Sequence, residues 1–139
     1  MADEVFLDSS YAIALAADSD QLHVRAAEIA DEIQQHSRRL VTTRAVLLEI
    51  GSVLSKPRYR TAAVELLASL ESDPTVEIVP LTNELYAQAF NLFRERSDKA
   101  WSLTDCVSFV VMQARGLTEA LTADEHFEQA GFRSLLRKA

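Results

Sequence analysis

Asp8, Glu49, Asp105 and Asp124 stand where apolar segments of this chain end or break. Asp8 directly follows Val5-Phe6-Leu7, and Asp124 comes two residues after Ala120-Leu121-Thr122. Asp105 falls in the first turn of a segment with Val107, Val110, Val111 and Ala114 at helical spacing. Glu49 shares a helical face with Val46, Ile50 and Val53, so it interrupts an apolar stripe. A carboxylate in such a place is costly unless a cation pairs with it, and either an Arg or a metal ion can serve. Carboxylates crowded together repel one another unless a cation sits between them. Mg²⁺ or Mn²⁺ suits oxygen donors of this kind, and such an ion can orient water and offset charge on a phosphate. No His/Cys spacing suggests zinc.

Each acid also has an ordinary structural use. Asp8 can cap a helix. Ser102-Leu103-Thr104-Asp105 and Thr122-Ala123-Asp124-Glu125 both fit a capping box, the second with Asp124 merely exposed. Glu49 has the weakest such alternative because its neighbours are apolar. The joint reading therefore rests on the set and its order along the chain.

The elements that would position these acids can be read from periodicity. Val5-Phe6-Leu7, Leu40-Val41-Thr42, Val76-Glu77-Ile78-Val79 and Ala120-Leu121-Thr122 are short β-prone runs, the first suiting a strand buried on both faces; Phe132-Arg133-Ser134 is a possible edge strand. Between them lie helical patterns. Ser9 or Ser10 can cap the first helix, Leu22 to Ile33 marks a second, and Thr43 can cap a third bearing Val46, Leu47, Ile50, Val53 and Leu54. Lys56-Pro57 breaks that helix, and Ala63, Leu66, Leu67 and Leu70 mark the next. Thr82-Asn83 opens a helix through Leu85, Ala89, Leu92 and Phe93. Residues 97–101 read as a loop, Gly116 stops the helix after Asp105, and Glu125 to Gln129 forms a short helix. Strand–helix alternation of this kind predicts an α/β fold, with a mainly parallel sheet between two helical layers. Ligands in such folds bind at the carboxyl ends of the strands, where these acids fall.

The 139 residues suggest one compact domain over 1–139, and a hydrophobic content of 48% suffices for its core. The single cysteine, Cys106, allows no internal disulfide and fits a reducing cytosol. Its expected role is a small core side chain, not a nucleophile. The acidic start Met1-Ala2-Asp3-Glu4 is unlike a signal peptide, and Tyr11 to Ala17 is too short to cross a bilayer, so the expected location is cytoplasmic. A net charge of −7 argues against a dedicated nucleic-acid-binding module but not against a nuclease, whose bound cation locally reverses the sign.

At these motifs the chain resembles the PIN-domain family, and within it the VapC-type toxins of bacterial toxin–antitoxin systems. The resemblance spans nearly the whole chain, through Phe6-Leu7-Asp8-Ser9-Ser10, Val41-Thr42-Thr43 with Leu48-Glu49-Ile50, residues 97–106, and Leu121-Thr122-Ala123-Asp124-Glu125-His126-Phe127. It implies a PIN-like α/β/α sandwich of four to five strands and hydrolysis of RNA phosphodiesters, leaving a 5′-phosphate and a 3′-hydroxyl. It implies Mg²⁺ or Mn²⁺, held by Asp8 and Asp105 with Glu49 and Asp124 completing the shell directly or through water. Ser10 and Thr104 match hydroxyl positions that order the site in relatives. An RNA substrate, a cognate antitoxin and a homodimer are the implied partners, with no membrane. A PIN fold retained only for RNA or protein binding is the alternative, and the intact acids speak against it.

Other residues have modest expected roles. Asp98 would organise the loop before Trp101 rather than support the acids from behind, Trp101 would anchor packing rather than stack on a base, and His126, near Asp124, could touch substrate, although a surface helix position is the expectation. Arg38, Arg39, Arg44, Lys56, Arg58 and Arg60 could form an RNA-facing rim or a solvated surface. A haloacid-dehalogenase phosphatase would want Asp where Ser10 stands, and a receiver domain would want Asp where the third strand runs into Pro80-Leu81.

Overall fold

A computed structural model describes residues 3–17 and 19–137. Five parallel strands form one sheet: β1 (Glu4–Leu7), β2 (Arg39–Thr43), β3 (Val76–Val79), β4 (Glu119–Leu121) and β5 (Arg133–Ser134), in the spatial order β3-β2-β1-β4-β5. Among the described residues seven helices connect them: α1 (Ser9–Ala16), α2 (His23–Gln35), α3 (Arg44–Val53), α4 (Pro57–Ser72), α5 (Asn83–Glu95), α6 (Leu103–Arg115) and α7 (Glu125–Gln129). β1 is central, with Phe6 paired to Val41 on one side and to Ala120 on the other. The chain winds from β1 outward to β3, then crosses back past β1 to β4 and β5. Right-handed crossovers in opposite directions put α1 to α4 on one face of the sheet and α5 to α7 on the other. The expected three-layer α/β/α sandwich is thereby present.

This winding places the topological switch between β1 and β4. Neighbouring strands there send their chains to opposite faces, leaving a crevice beyond their carboxyl ends. Asp8 sits at the end of β1, where its N–H donates to the Leu121 carbonyl of β4 at 3.2 Å.

Periodicity located most elements, with informative exceptions. Thr43 and Thr82 cap α3 and α5 as expected, and Gly116 adopts φ 68° at the end of α6. Ser9 and Ser10 do not cap α1; Asp8 is the cap residue, and both serines lie inside the first turn. β4 ends one residue before Thr122. Val53 belongs to the apolar side of α3 and Phe93 to the apolar spacing of α5, yet they are 54% and 44% exposed, respectively. α6 is buried more broadly than one stripe, through Cys106, Val107, Phe109, Val111 and Met112. It packs against both α5 and α7, so several of its faces are covered.

An aromatic chain ties the short α7 to the sheet. Trp101 meets Phe109 edge-on at 5.0 Å, Phe109 meets Phe127 at 4.9 Å, and Phe127 lies 6.3 Å from Phe6 on β1. Trp101 Nε1 also donates to Gln129 Oε1 at 3.0 Å, which makes Trp101 the packing anchor expected. A five-residue helix has little stability of its own, so this burial fixes where its first turn points.

Candidate active site

Asp105 and Asp124 come together through His126. Nδ1 of His126 lies 3.0 Å from Asp105 Oδ2 and 3.3 Å from Asp124 Oδ1. His126 is thus a member of the acidic site rather than a surface helix residue, a correction to the expectation from sequence. The cause is tertiary: Phe127 of α7 is fully buried, so the preceding residue turns toward the start of α6.

Both aspartates also cap helices. Asp105 Oδ2 accepts the Ser102 N–H while Ser102 Oγ accepts the Asp105 N–H, completing the expected capping box. Asp124 Oδ1 accepts the His126 N–H. The expected second box, closed by Glu125, does not form; Asp124 itself is the cap of α7. Capping and site membership are therefore not alternatives for these acids. The cap fixes the rotamer, and the two fixed carboxylates both stand against His126 Nδ1.

Asp8 is held differently. Its Oδ2 accepts hydroxyl donors from Thr122 at 2.7 Å and Ser10 at 3.1 Å. Thr122 Oγ1 in turn accepts the Asp124 N–H at 3.0 Å, and Ser10 Oγ accepts the Ala123 N–H at 3.0 Å. One buried hydroxyl thus links the first acid to the fourth. In the sequence Thr122 reads as the end of the fourth strand, part of the fourth motif and a capping-box residue, but not as a partner of Asp8. The signal available was a Thr at a strand end, two residues before a candidate acid.

Glu49 is half-buried on α3 and accepts Ser9 Oγ at 2.5 Å. Thr104 stands apart from these bonds. It lines a groove with Leu48, Glu49, Ser52, Leu81 and Tyr86, and only its carbonyl is engaged, by Ser108 Oγ.

The electrostatics describe a site short of positive charge. Burial pushes the Asp8 carboxyl up to about 6; the bonds from Thr122 and the Ser9 backbone oppose this, and repulsion from Glu49 and Asp105 adds to it. Burial beside Asp105 likewise drives the Cys106 thiol up to about 11, the opposite of what a nucleophile needs. A small divalent cation would relieve the repulsion. One ligand atom from each of Asp105, Asp124 and His126 lies within 4.8 Å of the others, about the span of donors around a single ion.

The basic rim is smaller than the sequence suggests. Arg38 is mostly buried against Glu119 at 2.9 Å, Arg44 pairs with Glu71, and Arg39 lies at the amino end of β2, away from the acids. Lys56, Arg58 and Arg60 remain exposed around the α3–α4 turn without an acidic partner among the described residues. Asp98 pairs with Arg96 at 3.0 Å, in keeping with a loop-organising role.

The 23S rRNA-specific endonuclease VapC20 of Mycobacterium tuberculosis is 27% identical to this chain over 128 residues, covering 92% of the chain and 95% of that protein, in both the CDC 1551 and H37Rv strains. The crystal structure of M. tuberculosis VapC20, described as a Sarcin-Ricin loop cleaving toxin, superposes with a TM-score of 0.82 at 27% identity over 92% of this chain and 95% of that one. VapBC2 from Rickettsia felis, bound to a DNA fragment from its promoter, shares the fold at a TM-score of 0.65 and 13% identity, covering 94% of this chain and 96% of that one. The PIN domain pattern itself matches residues 5–133. With the sheet order, the switch-point crevice and the match all in agreement, this chain belongs to the PIN domain family.

Proposed function

We propose that this protein is a Mg²⁺- or Mn²⁺-dependent endoribonuclease and the toxin of a toxin–antitoxin pair. The observation that carries the reading is the buried Asp8 carboxyl, repelled by Glu49 and Asp105 and pushed up to about 6, and tied through the Thr122 hydroxyl to the Asp105–His126–Asp124 group, in which neither Asp8 nor Glu49 itself falls. Asp8 and Asp105 would hold the cation, with Glu49 and Asp124 completing the shell directly or through water. When bound, the ion would supply charge stabilisation at the scissile phosphate and a more acidic attacking water. The chain's own task is positioning. Ser9 aims Glu49, Thr122 and Ser10 aim Asp8, and the two helix caps aim Asp105 and Asp124. Hydrolysis would leave a 5′-phosphate and a 3′-hydroxyl. The relative's stated substrate makes 23S ribosomal RNA the first target to test.

Three partners accompany this reading. The first is RNA, whose phosphates Lys56, Arg58 and Arg60 would meet beside α3. Changing all three to Ala in an Asp8→Asn background should flatten the plot of log binding constant against log salt by about 2, given roughly 0.7 per phosphate contact for single strands. An unchanged slope would remove this turn from the interface. The second is an antitoxin that blocks the acidic pocket, through a basic side chain in the simplest case. The third is a second copy of this chain. Leu48, Leu81, Tyr86, Phe90 and Phe93 leave apolar surface exposed on α3, on α5 and just before α5, with Tyr86 and Phe90 stacked 6.4 Å apart. Wild type should sediment at twice 15.5 kDa and Phe90→Glu at 15.5 kDa; a monomeric wild type would contradict the dimer.

Induction in a bacterial host tests the toxin role. Growth should arrest, and co-expression of the product of a short neighbouring gene should relieve the arrest. Unimpeded growth on induction would count against it. Among the described residues, no helix is long and apolar enough to cross a membrane.

A further inference from the structure

We infer that His126 is a direct ligand of the cation at this site, which makes the donor set mixed nitrogen and oxygen rather than all carboxylate. The inference rests on the metal dependence proposed above and assigns to it a residue outside the four acids.

The spacing fits neighbouring donors on one ion, which would replace the hydrogen bond that His126 Nδ1 shares with Asp105 Oδ2. In an octahedral shell with bonds of about 2.1 Å, adjacent donors stand about 3 Å apart. Nδ1 of His126 lies 3.0 Å from Asp105 Oδ2 and 3.3 Å from Asp124 Oδ1. The two carboxylates belong to different elements, at the starts of α6 and α7, and the imidazole stands between them. Its side chain is 24% exposed, so it is sheltered but reachable by an ion from solvent. Its position is fixed independently of any ion. The His126 N–H is tied to Asp124 Oδ1, and the next residue, Phe127, is locked against Phe6 and Phe109. Of the three histidines, His126 is the one grouped with the acids; Nδ1 of His23 and of His36 meets a backbone carbonyl of its own neighbourhood, Ala14 and Glu32, each at 2.8 Å.

An imidazole donor has a consequence for which ion is held. Mg²⁺ takes oxygen ligands and gives up its waters reluctantly, whereas first-row transition ions gain from a nitrogen donor. The site should therefore hold Mn²⁺ at least about tenfold more tightly than Mg²⁺. His126→Ala should weaken Mn²⁺ by about that factor and leave Mg²⁺ within about twofold. A histidine acting only as a spacer between the acids would change both ions in equal proportion.

The test is electron spin-echo spectroscopy of Mn²⁺ bound to the full-length protein, with calorimetric titration of Mn²⁺ and Mg²⁺ alongside. Wild type should show a directly coordinated ¹⁴N, and incorporation of ¹⁵N-histidine should change that signal without any mutation. His126→Ala should abolish it. Mn²⁺ bound to wild type without nitrogen coupling would overturn the assignment while leaving the carboxylate site intact. Coupling that persists in His126→Ala, or equal losses for both ions, would overturn it as well. Failure of wild type to bind Mn²⁺ at all would instead sink the metal-dependent reading on which the assignment stands.

Discussion

Asp8→Asn is expected to reduce RNA cleavage at least about a hundredfold and, at the same time, to raise the melting temperature of the metal-free protein at neutral pH. The loss follows if Asp8 is the charged ligand proposed above, since single electrostatic contributions at such a site are worth about 10²–10³ in rate. The gain follows from linkage. Asp8 has a carboxyl pushed up to about 6 in the fold, against 3.8 when unperturbed. Below about pH 4 it is protonated in both folded and unfolded chains and costs nothing. As pH rises from 4 to 6 the unfolded chain releases the proton first, so folding stability falls; above 6 the full penalty persists. That penalty is of order 2–3 kcal/mol, and relieving it corresponds to on the order of 5–10 °C in a domain of this size. Asn keeps an oxygen for Thr122 and Ser10 but carries no charge. Melting curves in EDTA at pH 4, 5, 6 and 7 check this: the variant's advantage should appear between pH 4 and 6 and then level off. An Asp8→Asn protein no more stable than wild type at pH 7 would mean that Asp8 is not strained by burial and its acidic neighbours.

Thr122→Val is the second change with a large expected effect, although Thr122 is not itself an acid of the site. The replacement keeps the shape of a fully buried side chain and deletes one hydroxyl. That hydroxyl donates to Asp8 and receives the Asp124 N–H, so its loss removes one of the two hydroxyl donors to the buried Asp8 carboxylate and takes the acceptor from the Asp124 N–H. The expected cost is about 1–3 kcal/mol in stability and about 10–100-fold in metal affinity or activity, as for other residues that orient metal ligands. Because the Thr122 bond lowers the Asp8 pKa, losing it should move the acidic limb of the pH–activity profile to higher pH. Thr122→Ser should restore most of the activity and the original limb. A stable Thr122→Val protein with an unshifted profile and full rate would show that the link between Asp8 and Asp124 is dispensable.

Much of this site was legible in the sequence because its acids interrupt local patterns. Asp8 halts an apolar strand and Glu49 breaks an apolar helical face, so each is visible within a window of a few residues. The capping templates were equally visible but could not say whether capping excluded another role. Asp105 does both, through the same oxygen that lies near His126.

The remainder depends on contacts between residues far apart in the chain. His126 lies on a five-residue helix, too short for its periodicity to define an inward face. Its direction is decided by Phe127 packing against Phe6 and Phe109. Thr122 fitted a local template, but its hydroxyl turned to Asp8, 114 positions away. Arg38 looked like part of a basic cluster until Glu119, 81 positions away, claimed it. Val53 and Phe93 had the spacing of core residues, and periodicity does not distinguish a face buried in the fold from one left exposed.

On the reading proposed above, this acidic site cleaves RNA with a divalent cation. The most direct measurement is cleavage of purified ribosomal RNA and total RNA by wild type and Asp8→Asn, each in Mg²⁺, in Mn²⁺ and in EDTA, with products resolved by end chemistry. Wild type should cut only with metal present, leave 5′-phosphates and stop in EDTA, and Asp8→Asn should be at least about a hundredfold slower. Cleavage that persists in EDTA, or an Asp8→Asn rate equal to wild type, would contradict the mechanism. A wild-type protein that binds RNA and metal but cuts nothing would identify the chain as a binding module that retains the fold.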